Sequence, residues 1–236
     1  MTEIKENYGI VVLMDALGVQ NATIPESMHF INFLKDEAKG VSLFLSGYTE
    51  SSELREHFEK IKPIVKTFGD TFLITWSIPS ESNIKLYLEA ISFTVAVIIC
   101  NGIDKGILVR GALSIGEYLE SDTTIIGPVI TDAASWHEQA NWFGCITTPN
   151  CTQHVNSIAL EGETFDSLIE YRVPLKSKKQ IKLWCVDWPF IMKGVKEVDP
   201  LKWYYKSISK LPIPPGVENK YINTEVFLKY CSSRTT

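Results

Sequence analysis

The hydrophobic positions of the chain form short β-branched runs and longer stretches with helical spacing. Residues 8–14 are nearly all apolar and predict a buried strand. Thr23 and Glu26 have the spacing of a capping box, and apolar residues then recur at helical intervals as far as Gly40. This stretch predicts a helix that ends at the glycine.

A hairpin, a helix and a strand follow. Residues 64–68 and 71–76 are rich in β-forming residues and flank a Gly-Asp turn. Residues 84–101 predict an apolar helix, and residues 107–115 a strand. The order strand, helix, strand, strand, helix, strand is that of a ferredoxin-like βαββαβ core. We therefore expect an α+β fold with helices on one face of an antiparallel sheet.

The pattern is weaker in the second half of the chain. It predicts a helix over 128–142 and strands over 145–148 and 181–186. Prolines and aromatic residues dominate from residue 200 onward. We expect a domain over residues 1–190 and a C-terminal arm over 191–236 that packs on the domain or on a dimer partner.

Composition is that of a globular protein, with 45% hydrophobic and 22% charged residues among 236. The net charge of −5 lacks the basic footprint of a nucleic-acid partner. Five scattered cysteines, an odd number, favour a reducing compartment. The apolar stretch 86–100 carries Glu89 and is shorter than the ~20 residues of a membrane span, so it predicts a buried helix. We expect a soluble cytoplasmic protein without a signal peptide or a membrane partner.

Two aspartates form the candidate site. Asp15 ends the first strand, and Asp70 lies at the tip of the hairpin. In a ferredoxin-like sheet these strands are neighbours, so the two carboxylates can converge. Carboxylates suit Mg²⁺ or Mn²⁺, and two such ions can stabilise an in-line displacement. Asp70 as a plain turn residue and Asp15 as a helix cap stay open as alternatives.

Three motifs resemble the class III adenylyl and guanylyl cyclases. Residues 65–70, Val-Lys-Thr-Phe-Gly-Asp, resemble the Lys-Thr-x-Gly-Asp hairpin of that family. Residues 13–18 resemble its first metal motif, where a strand ends in Asp. Residues 127–134 have the layout of its Gly-x-x-Val-Asn-x-Ala-Ala helix start. The motifs occur in the family's order over roughly residues 8–148.

The resemblance implies a nucleotidyl cyclase. Asp15, Ala16 and Asp70 would bind two Mn²⁺ or Mg²⁺ ions. One ion would lower the pKa of the ribose 3′-hydroxyl, and the other would hold the triphosphate. Attack on the α-phosphate would close the ring and expel pyrophosphate. The family builds its sites across a head-to-tail homodimer, so a homodimer with two sites is expected.

The chain departs from the family at the catalytic helix. The transition-state Asn and Arg of the family align with Thr131 and Ser135. A cation opposite the α-phosphate is still expected, and Arg110 is the candidate replacement. An ion pair between Arg110 and an acid such as Glu117 is the structural alternative. Thr131 is retained as a candidate substrate contact, although an ordinary helix residue is the simpler interpretation.

Base recognition is implied for Lys66, which occupies the family's base-recognising lysine position. Its partner position aligns with Thr124, and lysine with threonine occurs in bacterial adenylyl cyclases. Lys66 can equally be a solvated strand lysine. His137 is interpreted as a partly buried structural histidine, and the basic run 176–179 as a solvated loop.

A second resemblance is to the compact bacterial pyrimidine cyclases of anti-phage signalling, which make cyclic UMP or cyclic CMP. It rests on the stand-alone core, the Arg-Gly strand at Arg110 and the Val-Asp-Trp-Pro of residues 186–189. Tyr48 is the candidate base-selecting tyrosine, with a loop aromatic as the alternative. This resemblance implies UTP as the substrate and a separate effector protein that reads the product. An adenylyl cyclase and a silent nucleotide-binding module are the alternatives.

Overall fold

The computed structural model describes residues 4–17, 23–47, 62–79, 84–209, 211, 213 and 215–233, with side chains of the first helix described only to Val41. These residues contain eight strands and seven helices. The strands are β1 (Lys5–Ala16), β2 (Ile64–Phe68), β3 (Thr71–Ser77), β4 (Val109–Glu120), β5 (Ile125–Ile126), β6 (Gly144–Thr147), β7 (Leu168–Pro174) and β8 (Gln180–Val186). The helices are α1 (Ile24–Gly47), α2 (Ile84–Asp104), α3 (Pro128–Trp136), α4 (Pro149–Leu160), α5 (Trp188–Lys196), α6 (Pro200–Ile208) and α7 (Glu218–Ser232).

All eight strands belong to one sheet in the order β2-β3-β1-β4-β6-β8-β7, with β5 paired to β4. The central strand β1 is antiparallel to both β3 and β4, while β4 and β6 are parallel. The predicted α+β class is confirmed, but the sheet is mixed and not antiparallel throughout, because β6 pairs with β4 in parallel. The register pairs Asp15 with Thr71 on one side and with Arg110 on the other.

Alternation along β1 divides the apolar residues between the two faces of the sheet. Ile10, Val12 and Met14 belong to the large core that includes residues of α1 and α2. Val11 and Leu13 belong to a second cluster with Leu73, Tyr118 and the α3 residues Val129 and Ala133. Asp15 continues this second series, and we call the face that carries it the site face.

Helix α2 is long and apolar enough to cross a membrane by length and composition, yet 78% of its most apolar window is buried inside the protein. Its buried side chains lie in the main core, beneath the sheet. The prediction of a buried helix is confirmed.

Several element boundaries differ from those predicted. The Glu26 carboxylate accepts a hydrogen bond from the Thr23 N–H at 2.7 Å, as the capping spacing indicated. The helix, however, runs through Gly40, because an interior glycine costs only about 1 kcal/mol relative to alanine. Helix α3 ends at Trp136 instead of residue 142. Residues 137–143 turn back instead, since Asn141 donates its N–H to the carbonyl of Pro174 at 2.8 Å.

The C-terminal residues predicted as an arm form three helices. Asp187 caps α5 by accepting the N–H of Phe190 at 3.1 Å, and Asp199 caps α6. Two large aromatic side chains of this segment, Tyr204 and Phe227, are fully buried in the main core, as is Trp188 just before it. The boundary at residue 190 stays a prediction. The strand β7 and the helix α4 were not predicted from the sequence.

Candidate active site

Asp15 lies at the carboxyl end of β1, and Arg110 lies directly opposite it on β4. The Arg110 guanidinium donates from Nε to Oδ1 at 2.9 Å and from Nη2 to Oδ2 at 2.8 Å. Both side chains are buried, with 5% of the arginine and 11% of the aspartate side chain exposed. The pair is therefore a bidentate, desolvated ion pair. Removing either partner would leave the other charge buried without compensation.

Gly111 explains how the strands approach so closely at this point. A Cβ atom on Gly111 would lie 2.6 Å from Met14 Cγ and 2.8 Å from the carbonyl oxygen of Leu13. Only glycine fits there without displacing β1. The Arg-Gly sequence thus sets the spacing at which Arg110 reaches Asp15.

Glu138 completes the surroundings of the ion pair. Arg110 Nη1 donates to the carbonyl oxygen of Glu138 at 3.3 Å, and Nη2 lies 3.7 Å from its carboxylate. One ligand atom from each of Asp15, His137 and Glu138 lies within 4.8 Å of the others. This cluster has the size of a metal ligand set, with two carboxylates and one imidazole.

Asp70 lies beside Asp15 across the β1–β3 pair. The N–H of Ala16 donates to the carbonyl of Asp70 at 3.0 Å, and the three residues line one small cavity. Gly69 has a φ of 59°, the left-handed conformation that the tight turn requires. The backbones of the two aspartates therefore meet at one end of the sheet, while the convergence of their carboxylates stays a prediction.

The donor set at this end fits a divalent ion. Asp15 and Asp70 offer carboxylate oxygens, and Ala16 can offer its carbonyl, all hard ligands of the type Mg²⁺ and Mn²⁺ take. Arg110 uses two lone-pair positions of Asp15, and an ionised carboxylate has about four. Asp15 can thus bind an ion while it keeps its arginine.

Lys66 lies on β2 directly opposite Leu73, a residue of the site-face cluster. Its Nζ atom is buried and has no hydrogen-bond partner among the described residues. Burial raises the pKa of the nearby Glu120 carboxyl, and the charge of Lys66 opposes that rise. Lys66 is thus a half-buried residue whose ammonium is buried with an acid nearby, an arrangement that favours a binding role over a solvated strand lysine.

The remaining predicted residues lie elsewhere. Thr124 is exposed in the β4–β5 turn, where it accepts the N–H of Ser121 at 2.8 Å, at the end of β4 opposite to Arg110. Thr131 is exposed in the first turn of α3 and bonds to its own helix through the carbonyl of Gly127. Tyr48 lies outside the described residues.

Sequence reasoning missed Glu138 as a member of the site. The helix predicted through residue 142 gave it no special position, whereas the turn that begins at His137 brings it to Arg110. Glu117, suggested as a structural partner of Arg110, is not the acid that Arg110 contacts. The adjacent His-Glu pair after a helix was the available signal.

A cavity of about 730 Å³ lies between α5, α6 and α7 and includes none of the predicted site residues. Its charged lining is mostly acidic, with Lys193 as the single lysine and four carboxylates. Such a lining repels an anionic ligand. The candidate site is therefore assigned to the Asp15 end of the sheet.

No family model and no curated protein matches this sequence. Solved structures do share its fold. The catalytic core of a rhodopsin-guanylyl cyclase with converted specificity, in complex with ATPαS, is 15% identical with a TM-score of 0.51, over 78% of this chain and 97% of that chain. A bacterial light-regulated adenylyl cyclase is 14% identical with a TM-score of 0.51, over 89% of this chain and 58% of that chain. The fold is that of adenylyl and guanylyl cyclase catalytic domains.

Proposed function

We propose that the protein is a nucleotidyl cyclase that converts a nucleoside triphosphate to its 3′,5′-cyclic monophosphate and pyrophosphate. The observation that carries the proposal is the meeting of Asp15 and Asp70 at one end of the sheet. The 3′-hydroxyl oxygen of the ribose attacks the α-phosphorus, the bond to the pyrophosphate oxygen breaks, and the hydroxyl proton leaves to solvent. Positioning and charge supply most of the catalysis in such a reaction.

Asp15, Ala16 and Asp70 would hold divalent ions, Mn²⁺ or Mg²⁺. When bound, such ions supply Lewis-acid stabilisation of the attacking and leaving oxygens. Arg110 holds the Asp15 carboxylate in one orientation through its bidentate contact. A direct contact from Arg110 to the α-phosphate uses the N–H groups that remain free of its five donors.

UTP is the proposed substrate, with ATP as the alternative. Lys66 supplies a buried donor without a partner among the described residues, and Glu120 supplies an acceptor nearby. The edge of a uracil base presents hydrogen-bond acceptors and a donor, and the edge of an adenine base does so as well. The choice of UTP therefore rests on the resemblance to the pyrimidine cyclases. The residues 186–189 that contribute to it also have a structural role here, since Asp187 caps α5 and Trp188 is fully buried.

A head-to-tail homodimer is part of the proposal. Thr124 follows the carboxyl end of β4, whereas Asp15 on β1 lies opposite Arg110 near the start of β4, so base recognition by Thr124 serves a site whose metal ligands come from a second copy. The edge strand β2 also exposes Ile64 and Phe68, with 39% and 60% of their surface accessible. Exposed apolar residues on an edge strand favour a partner.

We also propose a cytoplasmic second-messenger role in anti-phage defence, with the product read by a separate effector. This role is supported only by the resemblance to the pyrimidine cyclases of such systems. It is tested by measuring cyclic UMP in cells that express the protein, before and after infection.

The enzymatic proposal is tested by incubating the purified protein with Mn²⁺ and ATP, GTP, CTP or UTP separately and resolving the products by mass. Cyclic UMP is the expected product. Cyclic AMP as the product would support the same mechanism with ATP as the substrate. Failure to make a cyclic product from any of the four would contradict the proposal.

A silent nucleotide-binding module is the second candidate function. It is favoured by Thr131 and Ser135, which are exposed and whose hydroxyls bond within α3. In that case the protein binds a triphosphate with Mn²⁺ and releases it unchanged.

A further inference from the structure

The C-terminal helix α7 docks on the segment that follows α3. Thr224 Oγ1 accepts the N–H of Phe143 at 2.9 Å, and Asn223 Nδ2 donates to the carbonyl of Asn141 at 2.7 Å. The rings of Tyr221 and Phe143 meet edge-to-face with their centroids 4.7 Å apart. One face of α7, from residue 220 to residue 224, is thereby fixed close to Glu138.

Lys220 is the charged residue on this docked face. Burial lowers the pKa of its ammonium group, and the nearby cations Arg110 and Lys176 lower it further, while Asp15 and Glu138 raise it. The side chain therefore lies within electrostatic range of both sides of the Asp15 ion pair. No carboxylate lies within 4.0 Å of its ammonium in the part of the chain that the structure describes.

Lys176 reaches the same place from the turn between β7 and β8. Its N–H donates to the carbonyl of Gln139 at 2.9 Å, and its ammonium lies 3.5 Å from the Glu138 carboxylate. Three cations thus converge from β4, from the β7–β8 turn and from α7, where Asp15 and Glu138 supply two carboxylates. The cluster has one positive charge in excess, although the whole chain carries −5.

An excess of positive charge at a partly buried position is costly unless an anion binds there. Lys176 already has a carboxylate partner, whereas Lys220 has none in the described residues. The ammonium of Lys220 is therefore the group with free donors. Its location on the edge of the Asp15 cluster suits a polyphosphate whose α-phosphate lies at the aspartates.

We propose that Lys220 is a substrate-binding residue that contacts the β- or γ-phosphate of the nucleoside triphosphate, so that the C-terminal helix completes the active site of its own chain. This inference rests on the proposed function for the identity of the substrate. It assigns the C-terminal segment a role in binding, beyond packing on the domain.

The test compares Lys220→Ala with Lys229→Ala, a lysine of the same helix that is exposed and pairs with Glu225. Binding of UTP, UMP and inorganic tripolyphosphate is measured by calorimetry with Mn²⁺ at a fixed concentration. Loss of one charge-assisted contact predicts a roughly tenfold weaker affinity of Lys220→Ala for UTP and tripolyphosphate, and little change for UMP. Lys220→Arg should recover most of the affinity, and Lys229→Ala should match the wild type.

Equal affinity of Lys220→Ala and the wild type for tripolyphosphate would overturn the inference while leaving the cyclase proposal intact. Weaker binding by the variant, together with a wild type that makes no cyclic product, would keep Lys220 as a polyphosphate ligand and remove the cyclase proposal. A wild type that binds neither UTP nor tripolyphosphate would overturn both.

Discussion

Two groups of predicted site residues differ in how firmly their side chains are held. At the Asp15 end, a buried bidentate ion pair is joined by Glu138 and Lys176. In the predicted base-recognition group, Lys66 has a buried ammonium without a hydrogen-bond partner among the described residues, and Thr124 is exposed in a turn. A fixed cluster suits the chemical step, and a donor left open suits the recognition of a base. Substitutions at the Asp15 end should therefore affect all nucleotides, and substitutions in the base-recognition group should affect the choice between them.

Asp15→Asn is expected to have the largest effect. Loss of a metal-binding carboxylate predicts a fall of more than about a hundredfold in cyclic product from every nucleotide. It also leaves the buried Arg110 without its charged partner, at a cost of about 3 kcal/mol in the free energy of unfolding. Product assays and urea unfolding measure the two effects, and an unchanged stability would show that the ion pair does not hold this end together.

Arg110→Lys should weaken the same end by a smaller amount. Lysine keeps the charge but cannot make the bidentate contact with Asp15, so we expect a loss of about tenfold in kcat. The matched control is Arg172→Lys on the exposed side of β7, which should leave kcat unchanged. If both variants kept the wild-type kcat, the bidentate contact of Arg110 with Asp15 would not be required for activity.

Lys66→Met tests the base-recognition group. Removing this donor should change the ratio of kcat/KM between UTP and ATP by about tenfold and leave the free energy of unfolding nearly unchanged. Lys182→Met, at an exposed strand lysine paired with Glu170, is the control. A uniform loss with all nucleotides would instead assign Lys66 to the catalytic group at Asp15.

Glu37→Gln, on α1 beside the small cavity that Asp15 and Asp70 also line, should have the smallest effect. Burial raises the pKa of Glu37, with Asp36 adding to the rise, while Asn101 and Lys105 oppose it. A raised folded-state pKa contributes stability below the unfolded pKa of about 4.3 and loses it as the pH rises through the folded value. The free energy of unfolding of the glutamine variant relative to wild type should therefore be higher at pH 7 than at pH 4. A difference that is constant with pH would show that Glu37 titrates alike in both states.

The Asp15 end could be predicted from the sequence because its parts are local. The Lys-Thr-x-Gly-Asp hairpin and the strand that ends in Asp15 carry both their secondary structure and their chemistry in a few residues. Gly111 marked the close approach of β4, although the acid that Arg110 binds was not identified. That acid is 95 residues away along the chain, and only the sheet register brings the two together.

The positions of Glu138 and Lys220 could not be predicted from the sequence, because long-range packing brings both residues to the site. Glu138 reaches Arg110 through a turn that interrupts an apparently helical stretch, and Lys220 reaches the cluster through the docking of α7 on Phe143. The hydrophobic pattern of α7 is nearly uniform around the helix, since buried residues such as Tyr221 and Phe227 alternate with polar ones. Periodicity therefore gave no indication of which face docks.

The most direct test of the account compares the wild type with Asp70→Asn, because Asp70 has no ion pair among the described residues whose loss could unfold the protein. Both proteins are incubated with UTP and Mn²⁺, and the products are resolved by mass over time, with thermal unfolding as a check on folding. The account predicts cyclic UMP and pyrophosphate from the wild type and, from a folded variant, a rate lower by more than about a hundredfold. Equal rates of cyclic UMP formation by the two proteins would contradict the assignment of the two aspartates as the catalytic centre.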